Sequence, residues 1–255
     1  MTRARASLNP VQFSGSFIRH AWSVRSTLTA EEHRGLFQFL YVTACSSVEA
    51  ILSEYMAAVL HWPAATLDTT KLFPERSRSL NDGSSISLDQ TLMNESVHRL
   101  LERTAHELAA APFARLMDLH PTILGTKPRE KLGPQLYGAI LGIVAIRNLF
   151  AHSRSVYVDL TTDPAGTGYL LPESNFDTHP LKPAFQALGE AGLYNAQAAK
   201  RHDGLVELLL HIYREDVLLF FWCAAAEAVE SYLNSAASGG FIDAQTYDRL
   251  PTLAA

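Results

Sequence analysis

The chain has 255 residues, 47% of them hydrophobic and 18% charged. That balance suits a globular protein able to bury a full core and excludes a disordered or fibrous class. A formal net charge of −5 excludes a surface coated for nucleic acid and confines any such contact to a local basic patch.

The first thirty residues hold Arg3, Arg5, Arg19 and Arg25 with no acid before Glu31. Pro10 and Gly15 should interrupt the amphipathic helix of a transit peptide, so residues 1–28 read as a basic arm. At Thr29 and Glu32 a capping box opens a long periodic segment running to about Trp62, where Pro63 is expected to stop it. Leu36, Phe37, Leu40, Tyr41, Ala44, Val48, Ile51, Leu52, Tyr55 and Met56 recur at three and four, the period of a scaffold helix packed along one face.

Residues 63–86 carry Pro, Asn, Gly and Ser punctuation and read as a connection. Ser87 and Gln90 have the spacing of a second cap, ahead of an amphipathic helix that ends at Pro112. A short helical piece from Arg115 to Leu119 is expected before Pro121, then the loop "GTKPREKLGP" (125–134). Pro134 suits the first turn of the next helix, "QLYGAILGIVAIRNLFAH", which is apolar on nearly every face and so is expected to be central and enclosed. "SVYVDL" and "GTGYLL" flank "TTDPA" as a small hairpin. A closing helix spans roughly 195–234, with Gly204 as an interruption and "SGG" beyond its end.

The longest apolar runs, at 137–146 and 217–226, are about half the ~20 residues of a membrane-spanning helix and read as core. Cys45 and Cys223 lie in apolar helical patterns without metal-ligand spacing, as buried thiols of a cytoplasmic protein. No histidine cluster or glycine-rich phosphate loop points to a metal or cofactor. The expected architecture is all-α: one helical bundle over 29–238 with a minor hairpin, in which 63–130 is an insertion and 239–255 a tail.

Arg147, Asn148 and His152 end the most apolar helix. At 100° per residue, Asn148 and His152 stack on one face, while Arg147, about 100° round, reaches across with its long side chain. In the last turn, the carbonyl pole of the helix favours imidazolium and draws His152 towards a working pKa for proton transfer. Arg147 supplies a planar cation suited to a phosphoryl oxyanion, and Asn148 can orient the histidine or a ribose hydroxyl. Cleavage of RNA without metal needs such parts: a base at the 2′-hydroxyl, charge for the phosphorane, and an acid for the 5′-oxygen. One histidine serves both proton transfers poorly, so a twofold dimer that brings in a second copy becomes part of the expected mechanism.

The motif "RNLFAH" resembles the signature of the HEPN superfamily, whose ribonuclease members carry arginine, a polar residue, three more residues and histidine in a helical bundle. "FLYVTACSSVEAILSEYM" (39–56) resembles the early helix of HEPN domains of the abortive-infection and toxin type, and 195–234 suits their closing helix; residues 63–130 have no counterpart. The resemblance implies a metal-independent ribonuclease acting as a homodimer, with Arg147 and His152 as catalytic residues and Asn148 as their polar partner. It also implies a toxin or anti-phage effector restrained by an antitoxin or an associated defence protein. Where one HEPN subgroup carries a modifiable tyrosine two residues after the histidine, this chain has Arg154, which could hold a substrate phosphate. Glu49 could line the same site.

Two other readings stand beside this one. "IRNLFAHS" also resembles the mannitol operon repressor-like family, which implies a non-catalytic regulatory or binding module. Structurally, Arg147 could simply tie its helix to Glu49 or Glu54 while Asn148 and His152 close the helix terminus. The spacing itself recurs in "RLMDLH", Arg115 to His120, but Leu116 replaces the polar residue and Pro121 follows, so this second instance reads as coincidence.

Overall fold

The computed structural model describes residues 10–66, 77–79, 85–87, 90–151, 161–162, 169–170, 180–194, 211–243, 247 and 249–253. Eight α-helices dominate them: α1 (Pro10–Ser23), α2 (Ala30–Thr66), α3 (Gln90–Leu108), α4 (Phe113–Leu124), α5 (Pro128–Leu132), α6 (Pro134–Ala151), α7 (Lys182–Glu190) and α8 (Glu215–Ser238). Two short antiparallel ladders accompany them. β1 (Ser77–Ser79) pairs with β2 (Ser85–Ser87), and β3 (Thr161–Thr162) with β4 (Tyr169–Leu170). The fold is all-α, as the periodicity requires.

The scaffold helix α2 starts as its capping box dictates. The Thr29 N–H donates to Glu32 Oε2 at 2.8 Å, and the Glu32 N–H to Thr29 Oγ1 at 3.3 Å, satisfying donors the first turn leaves orphaned. From there Phe37, Leu40, Tyr41, Ala44, Cys45, Val48, Leu52 and Met56 form a buried stripe. Along it α2 packs against α3, α4, α6 and α8. The helix continues past Pro63, the expected stop, to Thr66, because so near an end a proline removes only one helical hydrogen bond. Pro121 likewise lies inside α4, which ends at Gly125 in the left-handed region (φ 74°), its N–H bonded to Pro121 O. Ser87 does not cap α3: it sits opposite Ser77 in the β1–β2 ladder, and the helix begins at Gln90. The second ladder sets Thr161 opposite Leu170 and Thr162 opposite Tyr169, so its first strand falls in the expected turn "TTDPA".

Residues 10–23 are a helix in spite of Gly15. Ile18 and Trp22 are buried in the common core, Trp22 beside Phe37 with ring centroids 6.3 Å apart. Arg25 stacks over Trp22 at 4.2 Å and pairs with Glu215 at 3.0 Å, joining this segment to the start of α8. At the other end, α8 closes in a Schellman motif: Gly240 (φ 70°) donates to Ala237 O, and Phe241 to Ala236 O. Leu250 and Leu253 then return to the core, and Trp222 Nε1 donates to Pro251 O at 2.8 Å.

Helix α6 is less enclosed than its composition suggests. Ala139, Ile140, Gly142, Ile143 and Ile146 are buried, whereas Leu141, Val144, Ala145, Leu149 and Phe150 are half-buried. A side chain at Gly142 would come within 2.8 Å of Phe221 Cε1 and 3.0 Å of Ala184 Cα, so glycine allows α7 and α8 to close on this face. By length and composition α6 and Ala30–His61 could each cross a membrane, more than the ten-residue apolar runs indicate. In this fold the two pack against each other.

Candidate functional site

Two turns of α2 and the last turn of α6 meet around Arg147. Cys45 and Glu49, four apart, share one face of α2. Arg147 donates through Nε to Cys45 Sγ at 3.4 Å and through Nη2 to Glu49 Oε1. The backbone N–H of Phe113, at the start of α4, also favours the Glu49 carboxylate. Three helices therefore converge on one ion pair, whose side chains keep 20% and 21% of their surface in water. Ile146, fully buried, and Phe150, against Tyr41 and Tyr213 with centroids 6.0 and 6.1 Å away, anchor the turn that carries Arg147.

Burial pushes the Glu49 carboxyl up from its ordinary value, and the Arg147 guanidinium and the Phe113 N–H only partly offset this. Burial alone would lower Arg147, but Cys45 and Glu49 outweigh it and hold its pKa raised. The two shifts point in opposite senses for the pair. Arginine is charged at every accessible pH, so Glu49 is the member whose ionisation burial contests. Burial, followed by the charge of Glu49, pushes the Cys45 thiol up to about 11; it is a neutral thiol, not a nucleophile.

Asn148, next along α6, is exposed. His152 and Arg154 lie outside the described residues, which end this helix at Ala151. Of the sequence-derived set, the structure brings Arg147 and Glu49 together and leaves Asn148 facing solvent beside them. Comparison with protein-family models, curated proteins and solved structures finds no match to this chain.

The sequence presents Cys45 and Cys223 alike as buried thiols; Cys223 is in fact exposed, and Cys45 is buried but bonded to the arginine, a role its apolar setting does not announce. Its position one turn before Glu49 was the available signal. The repeated Arg-to-His spacing at Arg115 and His120 is structural: Arg115 is exposed and His120 is buried. His120 Nδ1 lies 2.6 Å from Thr126 O and Nε2 lies 3.3 Å from the Tyr232 hydroxyl. The imidazole thus donates to the carbonyl and accepts from the tyrosine, a neutral tautomer consistent with the downward push of burial on its pKa.

No group of three metal-ligating side chains occurs among the described residues. A cleft of about 500 Å³ opens between the first turns of α6, the end of α7 and the middle of α8, floored by Leu136, Ala139, Phe220 and Ala224. Its nearest α6 residue, Ala139, stands eight residues from Arg147, roughly 12 Å along the helix at 1.5 Å per residue. It is not part of the arginine site.

Proposed function

We propose that this protein is a metal-independent endoribonuclease of HEPN type, cutting RNA at a composite site between two copies of the chain. The observation that carries the reading is the state of Arg147. A cation ends an otherwise apolar helix, fixed by partners at Nε and Nη2, with no hydrogen bond at Nη1 among the described residues and a fifth of the side chain in water. Such a group is positioned but not used up, as a stabiliser of developing phosphoryl charge must be. Asn148 beside it is accessible to substrate.

In this mechanism His152 of one copy takes the proton of a 2′-hydroxyl, whose oxygen attacks the adjacent phosphorus. Arg147 stabilises the five-coordinate phosphorane. The bond to the 5′-oxygen breaks, and the leaving oxygen receives a proton from the second copy's histidine, giving a 2′,3′-cyclic phosphate and a 5′-hydroxyl. Asn148 orients the base, and Arg154 holds a flanking phosphate. Glu49 acts by holding Arg147. The reading includes a HEPN-type bundle with a small hairpin after the motif helix, supported by the ladder at Thr161–Leu170. It also places the protein in the cytoplasm as a toxin or anti-phage effector, restrained by an antitoxin or an associated defence protein.

The test is cleavage of mixed RNA by the purified protein in excess chelator. Wild type should yield cyclic-phosphate ends, and Arg147→Ala and His152→Ala should each lose at least a hundredfold in rate, the scale of one oxyanion stabiliser or one proton-transfer group. Far-UV dichroism should show both variants folded. Intact RNA after prolonged incubation with the wild-type protein sinks the reading. The ion pair of Arg147 with Glu49 favours a second one, in which the motif holds helices together in a non-catalytic regulatory module. That module would bind a nucleic acid or protein without turnover.

A further inference from the structure

We infer that Cys45 is a positioning residue for Arg147, and that its sulfur, together with the Glu49 carboxylate, sets which guanidinium nitrogen meets a substrate phosphate. The inference rests on the ribonuclease reading for its functional consequence, but its geometry stands independently. A guanidinium held only by a carboxylate can swivel about that contact. One held at two nitrogens has its plane fixed. Here the second contact is Nε to Cys45 Sγ at 3.4 Å, and the first is Nη2 to Glu49 Oε1. The sulfur is itself enclosed: Cys45 is fully buried on the stripe of α2 that carries Tyr41, Ala44 and Val48.

With Nε and Nη2 engaged, Nη1 has no hydrogen bond among the described residues. This divides the five donors of the side chain into a held edge and an offered corner. A phosphate approaching from solvent meets Nη1 in a fixed orientation, with no reorganisation of the arginine in the reaction step. Thiol sulfur is a weak acceptor, so Cys45 contributes orientation more than binding. Loss of its grip should therefore lower kcat and leave KM nearly unchanged.

Two measurements on the full chain decide this. In proton–nitrogen spectra of the arginine side chains, the Arg147 Nε–H, assigned by its absence in Arg147→Lys, should exchange slowly with water. Cys45→Ala should abolish that protection, and Cys45→Ser, which restores an acceptor, should recover it, with thermal unfolding confirming that both variants fold. In the cleavage assay, Cys45→Ala should lose roughly tenfold in kcat with KM within about twofold, and Cys45→Ser should regain most of the loss. Unchanged Nε–H exchange in Cys45→Ala, or equal loss in Ser and Ala variants, overturns the grip. Wild-type cleavage with an unaltered kcat in Cys45→Ala overturns its functional role while the ribonuclease reading stands. The expected exchange pattern in a wild-type protein that cuts no RNA overturns the ribonuclease reading alone.

Discussion

Arg147 and Glu49 set a problem of sign. Each keeps about a fifth of its side chain in water, and burial works against both charges, raising the Glu49 carboxyl while Cys45 and Glu49 hold Arg147 raised against it. Removing one member of a buried pair strands the other, at a cost of roughly 3–5 kcal/mol when burial is complete. With both side chains partly wet, Arg147→Met or Glu49→Leu alone should cost roughly 2–3 kcal/mol in chemical denaturation. The double variant should return to within about 1 kcal/mol of wild type, because two apolar groups of similar volume leave no uncompensated charge. Two additive losses would show that the residues act separately and that the helix junction does not depend on the pair. The sequence made Arg147 conspicuous, a cation at the end of "GAILGIVAI", and named Glu49 among its partners. It could not single out Glu49 over Glu54, since both lie on α2, and the choice depends on how α6 crosses that helix.

Among the elements, the junction of α4, α5 and α8 carries a charge-sensitive clamp. His120 bridges Thr126 O in the turn after α4 and the Tyr232 hydroxyl on α8. On the next element, Lys131 donates to Ser235 of α8 and opposes a positive imidazole. Burial is the main cause that lowers the His120 pKa, and Lys131 adds to it. A histidine whose folded pKa lies below its unfolded value of about 6.5 contributes stability that is present above that value. The contribution falls away as pH drops towards the folded pKa, because the unfolded chain then binds more protons. Stability should therefore fall between pH 7 and pH 5, and His120→Gln should be less stable at pH 7.5 but show a shallower decline. Parallel curves for the two proteins would remove His120 as the cause. Element existence was readable from periodicity and caps, as the Thr29–Glu32 box shows. Boundaries were not, where prolines sat near helix ends: Pro63 and Pro121 each forfeit one hydrogen bond, and the packing of α2 and α4 outweighs that loss. The cap expected at Ser87 failed for another reason, since the strand that competes for it comes from a distant serine.

At the scale of the whole molecule, both ends of the described chain belong to the core, although their composition reads as an arm and a tail. Short stretches rich in Arg, Ser, Pro and Ala carry too little periodicity to reveal burial. Ile18 and Trp22 occupy one face of α1 four residues apart, a signal that Pro10 and Gly15 obscured. At the other end the anchor is a single indole. Trp222 is among the largest fully enclosed side chains, and its N–H has Pro251 O as acceptor. Deleting residues 249–255 strands that donor, at about 1–3 kcal/mol, and uncovers the surface beneath Leu250 and Leu253, each worth roughly 1.5–3 kcal/mol when fully buried. The combined loss of about 4 kcal/mol or more should lower Tm by roughly 10 °C, given 2–4 °C per kcal/mol in a chain of this size. In the truncated chain Trp222→Phe removes the stranded donor, so it should recover only that share of the loss, about 1–3 kcal/mol, and leave the share due to Leu250 and Leu253. If the truncated protein melts with the full chain, the segment lies on the fold without supporting it, and α8 needs no strap to hold its face against α2.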